Sequence, residues 1–234
     1  YLKEFTVEAG RPDSITREKL EVLRAHGISR ISINPQTMNQ KTLDIIGRRH
    51  TVEQTVDAFH LARELGFDNI NMDLIVGLPG EEYGQVEHTM KEVTALDPDS
   101  ITVHSLAVKR AARLNMFKDQ YKEMTFTNNQ QIMEMTARYA YQAGHSPYYL
   151  YRQKNMAGNF ENVGYAKPDS AGIYNILIME EKQSILALGA GATSKKVTGE
   201  LIQRTENVKD IKNYVERIDE MIERKRLLME TDSQ

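Results

Sequence analysis

Two hydrophobic periods take turns along residues 1–145, and that alternation limits the fold more than any single motif does. Residues 5–7 alternate as a short strand. After the turn at Pro12, Asp13 and Ser14, Ile15, Leu20, Leu23 and Ala25 follow helical spacing up to Gly27. Residues 28–33 read as a second strand. Residues 51–65 read as a helix with Val52, Val56 and Phe59 at helical spacing, Thr51 as N-cap and Gly66 as stop. The polar connector 34–50 lies between them. The stretch NINMDLIVGLPGE, residues 69–81, is a third strand running into a Gly-Pro-Gly turn, backed by a helix over 82–96. A fourth strand over 100–107 and a helix over 128–142, closed by Gly144, complete the series. Parallel neighbours need a crossing element, so this order predicts an α/β fold with a mainly parallel sheet and right-handed crossovers.

The remaining third is less regular. Residues 148–151 read as a strand, 156–169 as a loop containing Gly, Asn and Pro, and 184–188 as a strand entering the turn 189–192. Val208, Ile211, Val215, Ile218 and Ile222 fall on one stripe of a predicted helix over 208–228, expected to pack inward and close the domain.

Composition removes several classes of function. A length of 234 residues, 40% of them hydrophobic, suffices for one well-buried domain. A net charge of -3 and a pI near 6.1 give no basic field for nucleic acid or an anionic membrane. No apolar run approaches the roughly 20 residues that span a bilayer, and no signal-peptide pattern opens the chain, so a cytoplasmic protein is expected. With no cysteine, these residues supply no disulfide, thiol nucleophile or thiolate-held zinc or iron-sulfur site. The chain opens at Tyr1 with apolar residues already alternating, which suggests a missing upstream part.

Against this background Asp73 stands out, an acid inside an otherwise apolar strand. In parallel α/β folds ligands bind outside the carboxyl ends of the strands, and Asp73 sits near that end. Glu8 on the first strand and Gln36 just past the second recur at equivalent heights, with Arg48 on the connector that follows. Two acids, an amide and a guanidinium suit a ligand with hydroxyls, an amine and a carboxylate. The plainer alternative is that Asp73 caps a turn, Glu8 is solvated and Arg48 pairs with a neighbouring helix. On the ligand reading Asp73 receives its hydrogen bonds only from the bound ligand, and Asp73→Asn leaves stability unchanged or slightly raised.

The run RISINPQTMNQKTLDIIGRRHT, followed by NINMDLIVGLPGE, resembles the radical S-adenosylmethionine enzymes of the oxygen-independent coproporphyrinogen III oxidase family. The later stretch GNFENVGYAKPDSAGIYNILIMEEKQSILALGAGATS resembles its HemZ branch. The resemblance implies an open, partial β/α barrel, N-terminally truncated here: residues 1–145 its C-terminal part, residues 146–234 an extension packed on it, together one domain. It also implies S-adenosylmethionine and a 4Fe-4S cluster, the latter held by a CxxxCxxC loop that would lie before Tyr1. By the same resemblance Glu8 and Asp73 meet the hydroxyl and amine groups of S-adenosylmethionine, and Gln36 and Arg48 its ribose and carboxylate end. Ile75 and Gly77 flank the adenine, while Ala107 and Thr193 give mainly backbone contacts. The chain reads EAGRPD across the first turn, which sets Glu8 one residue off the family spacing.

The activity so implied is oxidative decarboxylation of the propionates of a porphyrinogen to vinyl groups in haem biosynthesis, with an unspecified electron donor. This chain would supply the binding portion and be inactive alone. A rival reading is a haem carrier of the same fold. An aldolase-type barrel would want a Schiff-base lysine at a strand end, and none of these strands offers one. His104 reads as a structural histidine or a proton shuttle. Tyr148, Tyr149, Tyr151, Phe160 and Tyr165 read as core or as the wall of a porphyrin-sized pocket. Lys195, Lys196, Lys109, Arg110 and Arg113 read as solvated charge or as partners for substrate propionates.

Overall fold

The computed structural model describes residues 2–107, 125–152 and 157–230. Lys109, Arg110 and Arg113 lie outside them. Contacts divide the chain into two compact units, residues 1–173 and 174–234.

In the first unit, strands β1 (Thr6–Gly10), β2 (Arg30–Ile33), β3 (Ile70–Val76) and β4 (Ser100–Ser105) run parallel in sequence order, as the alternation predicts. The crossovers are α1 (Arg17–Ala25), α3 (Val52–Glu64) and α4 (Tyr83–Ala95), and α5 (Gln130–Gln142) follows β4. Thr51 caps α3 in a reciprocal box with Gln54, which satisfies two orphan backbone donors. The connector 34–50 contains one element the sequence reading lacks, a short helix α2 (Gln40–Ile45).

Two further differences concern the sheet. Residues 156–169 are not all loop: β6 (Asn162–Ala166) inserts between β4 and β5 (Ser146–Tyr151), antiparallel to both. Its sequence, NVGYA, hides it, because a central glycine breaks the alternation on which strand recognition depends. Residues 184–188 form no strand in the sheet, and Ile185 makes only an isolated bridge to Lys195. The Ala187 backbone N–H donates to Ser194 Oγ, and Ser184 Oγ accepts from the Val197 N–H, so side chains satisfy groups that a ladder would otherwise pair.

One face of the sheet carries the core. Met72, Leu74 and Val76 of β3 and Ile101 and Val103 of β4 are buried with Phe59 of α3 and Met90 of α4. The opposite face is polar. Period-two alternation makes this division obligatory: in β3, Asn71, Asp73 and Ile75 must face away from Met72, Leu74 and Val76.

Two histidines pin loops to this frame. Nε2 of His50 lies 3.2 Å from the Pro35 carbonyl oxygen and Nε2 of His145 lies 2.9 Å from that of Pro98, while the Nδ1 atom of each is buried without a partner. Burial pushes both imidazoles below the ordinary histidine value of 6.5. The native state therefore resists protons that the unfolded chain accepts. Stability is expected to fall as pH drops below about 6.5, by up to about 1.4 kcal/mol per histidine per pH unit. Urea melts from pH 7.5 to 5 should show this slope, and the double variant His50→Gln, His145→Gln should flatten it.

The second unit holds the hairpin β7 (Thr193–Thr198) and β8 (Leu201–Glu206) with α7 (Ile211–Glu216) and α8 (Ile218–Glu230); α6 (Ile173–Met179) straddles the boundary. The single helix expected over 208–228 is broken at Arg217, whose φ of -113° and ψ of 29° leave the helical region. The break moves the stripe. Ile211, Val215 and Ile222 are exposed, and Met221, Lys225 and Leu228 take the buried side. The Lys225 ammonium survives burial by donating to Asn207 Oδ1 at 2.6 Å and to the Met221 carbonyl at 3.0 Å.

Candidate functional site

Paired residues of neighbouring strands face the same way, so the register assembles the polar face row by row. Glu8 pairs with Ser32, Ser32 with Asn71 and Asn71 with Ser100; one pleat on, Asp73 pairs with Thr102. Asn71 is the hub. Its Nδ2 donates to Ser32 Oγ at 2.9 Å and to Asp73 Oδ1 at 2.7 Å, and its Oδ1 accepts from Ser100 Oγ at 3.0 Å and Thr102 Oγ1 at 3.1 Å. All four hydrogen-bonding positions of the amide are used. Towards β1 the chain of bonds continues through Ser32 Oγ to Asn34 Oδ1 at 2.6 Å and Asn34 Nδ2 to Glu8 Oε2 at 3.3 Å. Below the hub, buried Arg30 donates from Nη2 to Ser100 Oγ at 3.0 Å.

Asp73 is satisfied without any ligand, which corrects the expectation that only a bound molecule supplies its hydrogen bonds. Asn71 holds Oδ1, and His104 Nε2 lies 3.6 Å from Oδ2, an ion-pair distance. Burial pushes the Asp73 carboxyl up, but His104, Asn71 and the Thr102 hydroxyl together hold it below the usual carboxylate value. Its side chain remains 20% exposed, so the carboxylate is oriented yet accessible.

Gln36 is stitched onto the same strand. Its N–H donates to the Asp73 carbonyl at 3.0 Å, and its carbonyl accepts from the Ile75 N–H at 2.8 Å. Its φ is 68°, a left-handed conformation costly for glutamine, roughly 1–3 kcal/mol. The neighbouring segment is clamped by buried Glu81, which accepts from Thr37 Oγ1 at 2.6 Å and Asn39 Nδ2 at 3.1 Å. Burial raises the Glu81 pKa, only partly offset by these donors.

Arg48 is half-buried just beyond α2, close enough to Arg11 and Asp13, in the loop after β1, to feel their charge. Burial and Arg11 lower its pKa, and Asp13 only partly compensates. Asp13 itself pairs with Arg11 at 3.1 Å. Among the described residues Arg48 has no ion pair and no side-chain hydrogen bond. A partly desolvated guanidinium of this kind has the chemistry to pair with a carboxylate.

Ile75 lies on the polar face two residues above Asp73, and Gly77 follows β3 with a φ of 89° that a side chain would strain. Ala107 lies two residues past β4, at the same rim, where the Leu106 N–H donates to the Val76 carbonyl. The structure thus brings Glu8, Gln36, Asp73, Ile75, Gly77 and Ala107 to one end of the sheet, with Arg48 beside the loop after β1. Thr193 opens β7 in the second unit.

Other candidates separate. Tyr165 is core, edge-on to Tyr141. Lys195 is buried and 3.7 Å from Glu181, and Lys196 donates to the Met229 carbonyl, so neither is solvated charge. Missing from the sequence reading were Ser32, Asn34 and Asn71. Their signal was available as polar residues two apart within apolar strands: Ser32 with Asn34, Asn71 with Asp73, Thr102 with His104.

A family profile described as the radical SAM superfamily matches residues 3–93. The oxygen-independent coproporphyrinogen-III oxidase-like protein HemZ of Bacillus subtilis is 49% identical over 227 residues, covering 96% of this chain and 45% of that protein. The heme chaperone HemW of Bacillus subtilis is 41% identical over 108 residues, covering 46% of this chain and 28% of HemW. The solved coproporphyrinogen III oxidase HemN of Escherichia coli, described as a radical SAM enzyme, superposes with a TM-score of 0.69 at 24% identity, over 93% of this chain and 49% of HemN. The chain therefore has the open, mostly parallel α/β sheet of a radical S-adenosylmethionine protein. It belongs to the HemZ-like branch of the oxygen-independent coproporphyrinogen III oxidase family, and it spans about half the length of the curated relatives HemZ and HemN that it matches.

Proposed function

We propose that this chain is the S-adenosylmethionine-binding portion of a radical enzyme that oxidatively decarboxylates the propionates of coproporphyrinogen III. The observation that carries the reading is Arg48, a half-buried guanidinium beside the loop after β1 that has no ion pair or side-chain hydrogen bond among the described residues, together with Gln36 pinned to Asp73 at the rim of the sheet. On this reading Arg48 binds the carboxylate of S-adenosylmethionine, Asp73 and Glu8 its ribose hydroxyls and amine, and Gln36 the ribose. Ile75 and Gly77 lie along the adenine, and Ala107 adds a backbone contact. When bound, the cofactor supplies hydrogen-atom abstraction; the protein's residues orient it and exclude water.

The 4Fe-4S cluster of the family does not fit these residues. The chain has no cysteine, and no group of three or more His, Asp or Glu suited to a metal occurs among the described residues. Reconstitution of this chain with iron and sulfide is expected to give no stoichiometric cluster absorbance, and the chain alone no decarboxylation. Stoichiometric cluster formation on it would overturn that assignment. No helix among the described residues is long and apolar enough to cross a membrane.

The similarity to HemW over 108 residues supports a second reading, a haem carrier. Anaerobic incubation of a cluster-bearing form with coproporphyrinogen III separates the two. Release of carbon dioxide with vinyl product supports the enzyme, whereas stable haem binding without turnover supports the carrier.

A further inference from the structure

The polar face ends against an aromatic pair that the cofactor reading does not use. Tyr149 and Tyr151, two apart on β5, lie with ring planes 6° apart and centroids 6.2 Å apart, an offset stack. The partner of Tyr149 across the sheet is Gly164 of β6. A Cβ at Gly164 would lie 2.0 Å from Cε1 of the Tyr149 ring, so the ring occupies the space that any other residue would fill. Tyr149 lies down on the sheet because position 164 is glycine.

That seat lines up with the cofactor site. Gly164 pairs with Thr102, and Thr102 with Asp73, so Tyr149, Gly164, Thr102 and Asp73 form one row across four strands. Beside it, His104 joins the two ends: its Nε2 is 3.6 Å from Asp73 Oδ2 and its Nδ1 is 3.5 Å from the Tyr151 hydroxyl. Tyr149, Tyr151 and His104 are all partly exposed. The row therefore offers aromatic faces that need a flat partner. At one end, the Tyr151 hydroxyl, next to the His104 imidazole and through it to the Asp73 carboxylate, sets a polar group beside those faces.

We propose that Tyr149, Tyr151 and His104 form the substrate side of the site. They would take a pyrrole-type ring that bears a carboxylate, with the ring on the tyrosine faces and the carboxylate at the Tyr151 hydroxyl. His104 supports that hydroxyl from behind and links it to Asp73. The inference rests on the cofactor reading above for its choice of substrate class, and it adds where that substrate lies.

The test uses coproporphyrin III, the air-stable oxidised macrocycle with four carboxylates, followed by its visible absorbance in a titration of the protein. S-adenosylmethionine binding is measured in parallel by calorimetry. Tyr149→Leu and Tyr151→Leu are each expected to weaken coproporphyrin binding at least tenfold, and Tyr149→Phe, which keeps the ring, to stay within twofold of the parent. Tyr151→Phe should weaken it severalfold while S-adenosylmethionine affinity changes less than twofold. If Tyr149→Leu fails to fold, the two Tyr151 variants carry the test. Parent-like coproporphyrin binding by folded leucine variants would overturn the inference, as would a parent that binds S-adenosylmethionine but not coproporphyrin. Tyrosine-dependent coproporphyrin binding without any S-adenosylmethionine binding would sustain it and overturn the cofactor reading instead.

Discussion

Asn71→Leu is expected to cost about 3 kcal/mol of stability, a fall of roughly 6–12 °C in Tm, although leucine matches asparagine in size. The side chain is 3% exposed and uses every hydrogen-bonding position it has. Removing the amide takes the shared acceptor from the Ser100 and Thr102 hydroxyls and a donor from Ser32 Oγ and Asp73 Oδ1, all within a buried layer, although Ser32 keeps its bond to Asn34 and Ser100 its bond from Arg30. Each group left without a partner costs on the order of 1–3 kcal/mol, and partial rearrangement of the hydroxyls keeps the sum below the total. The nearby Arg30 guanidinium then shares a serine that has lost its own acceptor. Chemical denaturation of the parent and the variant measures the difference. A loss under 0.5 kcal/mol, on the order of an ordinary surface substitution, would mean that the polar face does not act as one network.

The second large effect is on binding. Arg48→Ala is expected to weaken S-adenosylmethionine about 30-fold, roughly 2 kcal/mol, because a charge-assisted pair with a carboxylate contributes about 1.5–3 kcal/mol. The same change should leave stability unchanged or raise it by a few tenths of a kcal/mol. Burial and the neighbouring Arg11 both disfavour the Arg48 charge, and Asp13 is already engaged by Arg11. A residue kept for folding would show the reverse, with lost stability and unaltered affinity. Thermal melts together with equilibrium dialysis separate the two patterns.

How far the sequence carried the fold depended on how regular each element was. β2, β3, α3 and α4 have clean periods and explicit caps, so their order and direction were legible. β6 was not, because Gly164 removes the alternating side chain in the middle of the strand, and its pairing partners lie about 60 residues back in β4 and about 15 back in β5. The tail failed for a different reason: a stripe from Val208 to Ile222 looks continuous on a helical wheel, but the break at Arg217 resets the phase, and local sequence does not announce it.

At the site, Asp73 was conspicuous as an acid in an apolar strand. Asn71 and Ser32 were not, because a single neutral polar residue in a strand reads as solvation until the register shows that the two are paired on one buried face. Gln36 could be placed near the rim from its position after β2. Its left-handed backbone and its two bonds to β3 are tertiary facts with no local sequence signal.

The central claim is that the carboxylate in NINMDLIVGLPGE is oriented by the protein in order to hold a ligand. It is tested most directly by calorimetric titration of S-adenosylmethionine into the parent and into Asp73→Asn. Because Asn71 and His104 both lose a charged partner, the substitution is expected to cost about 1 kcal/mol of stability, in place of the neutral effect expected from sequence. The protein should remain folded at 25 °C, with the affinity for S-adenosylmethionine reduced at least tenfold. An Asp73→Asn protein that binds S-adenosylmethionine as tightly as the parent would make Asp73 a structural acid of the sheet and contradict the account.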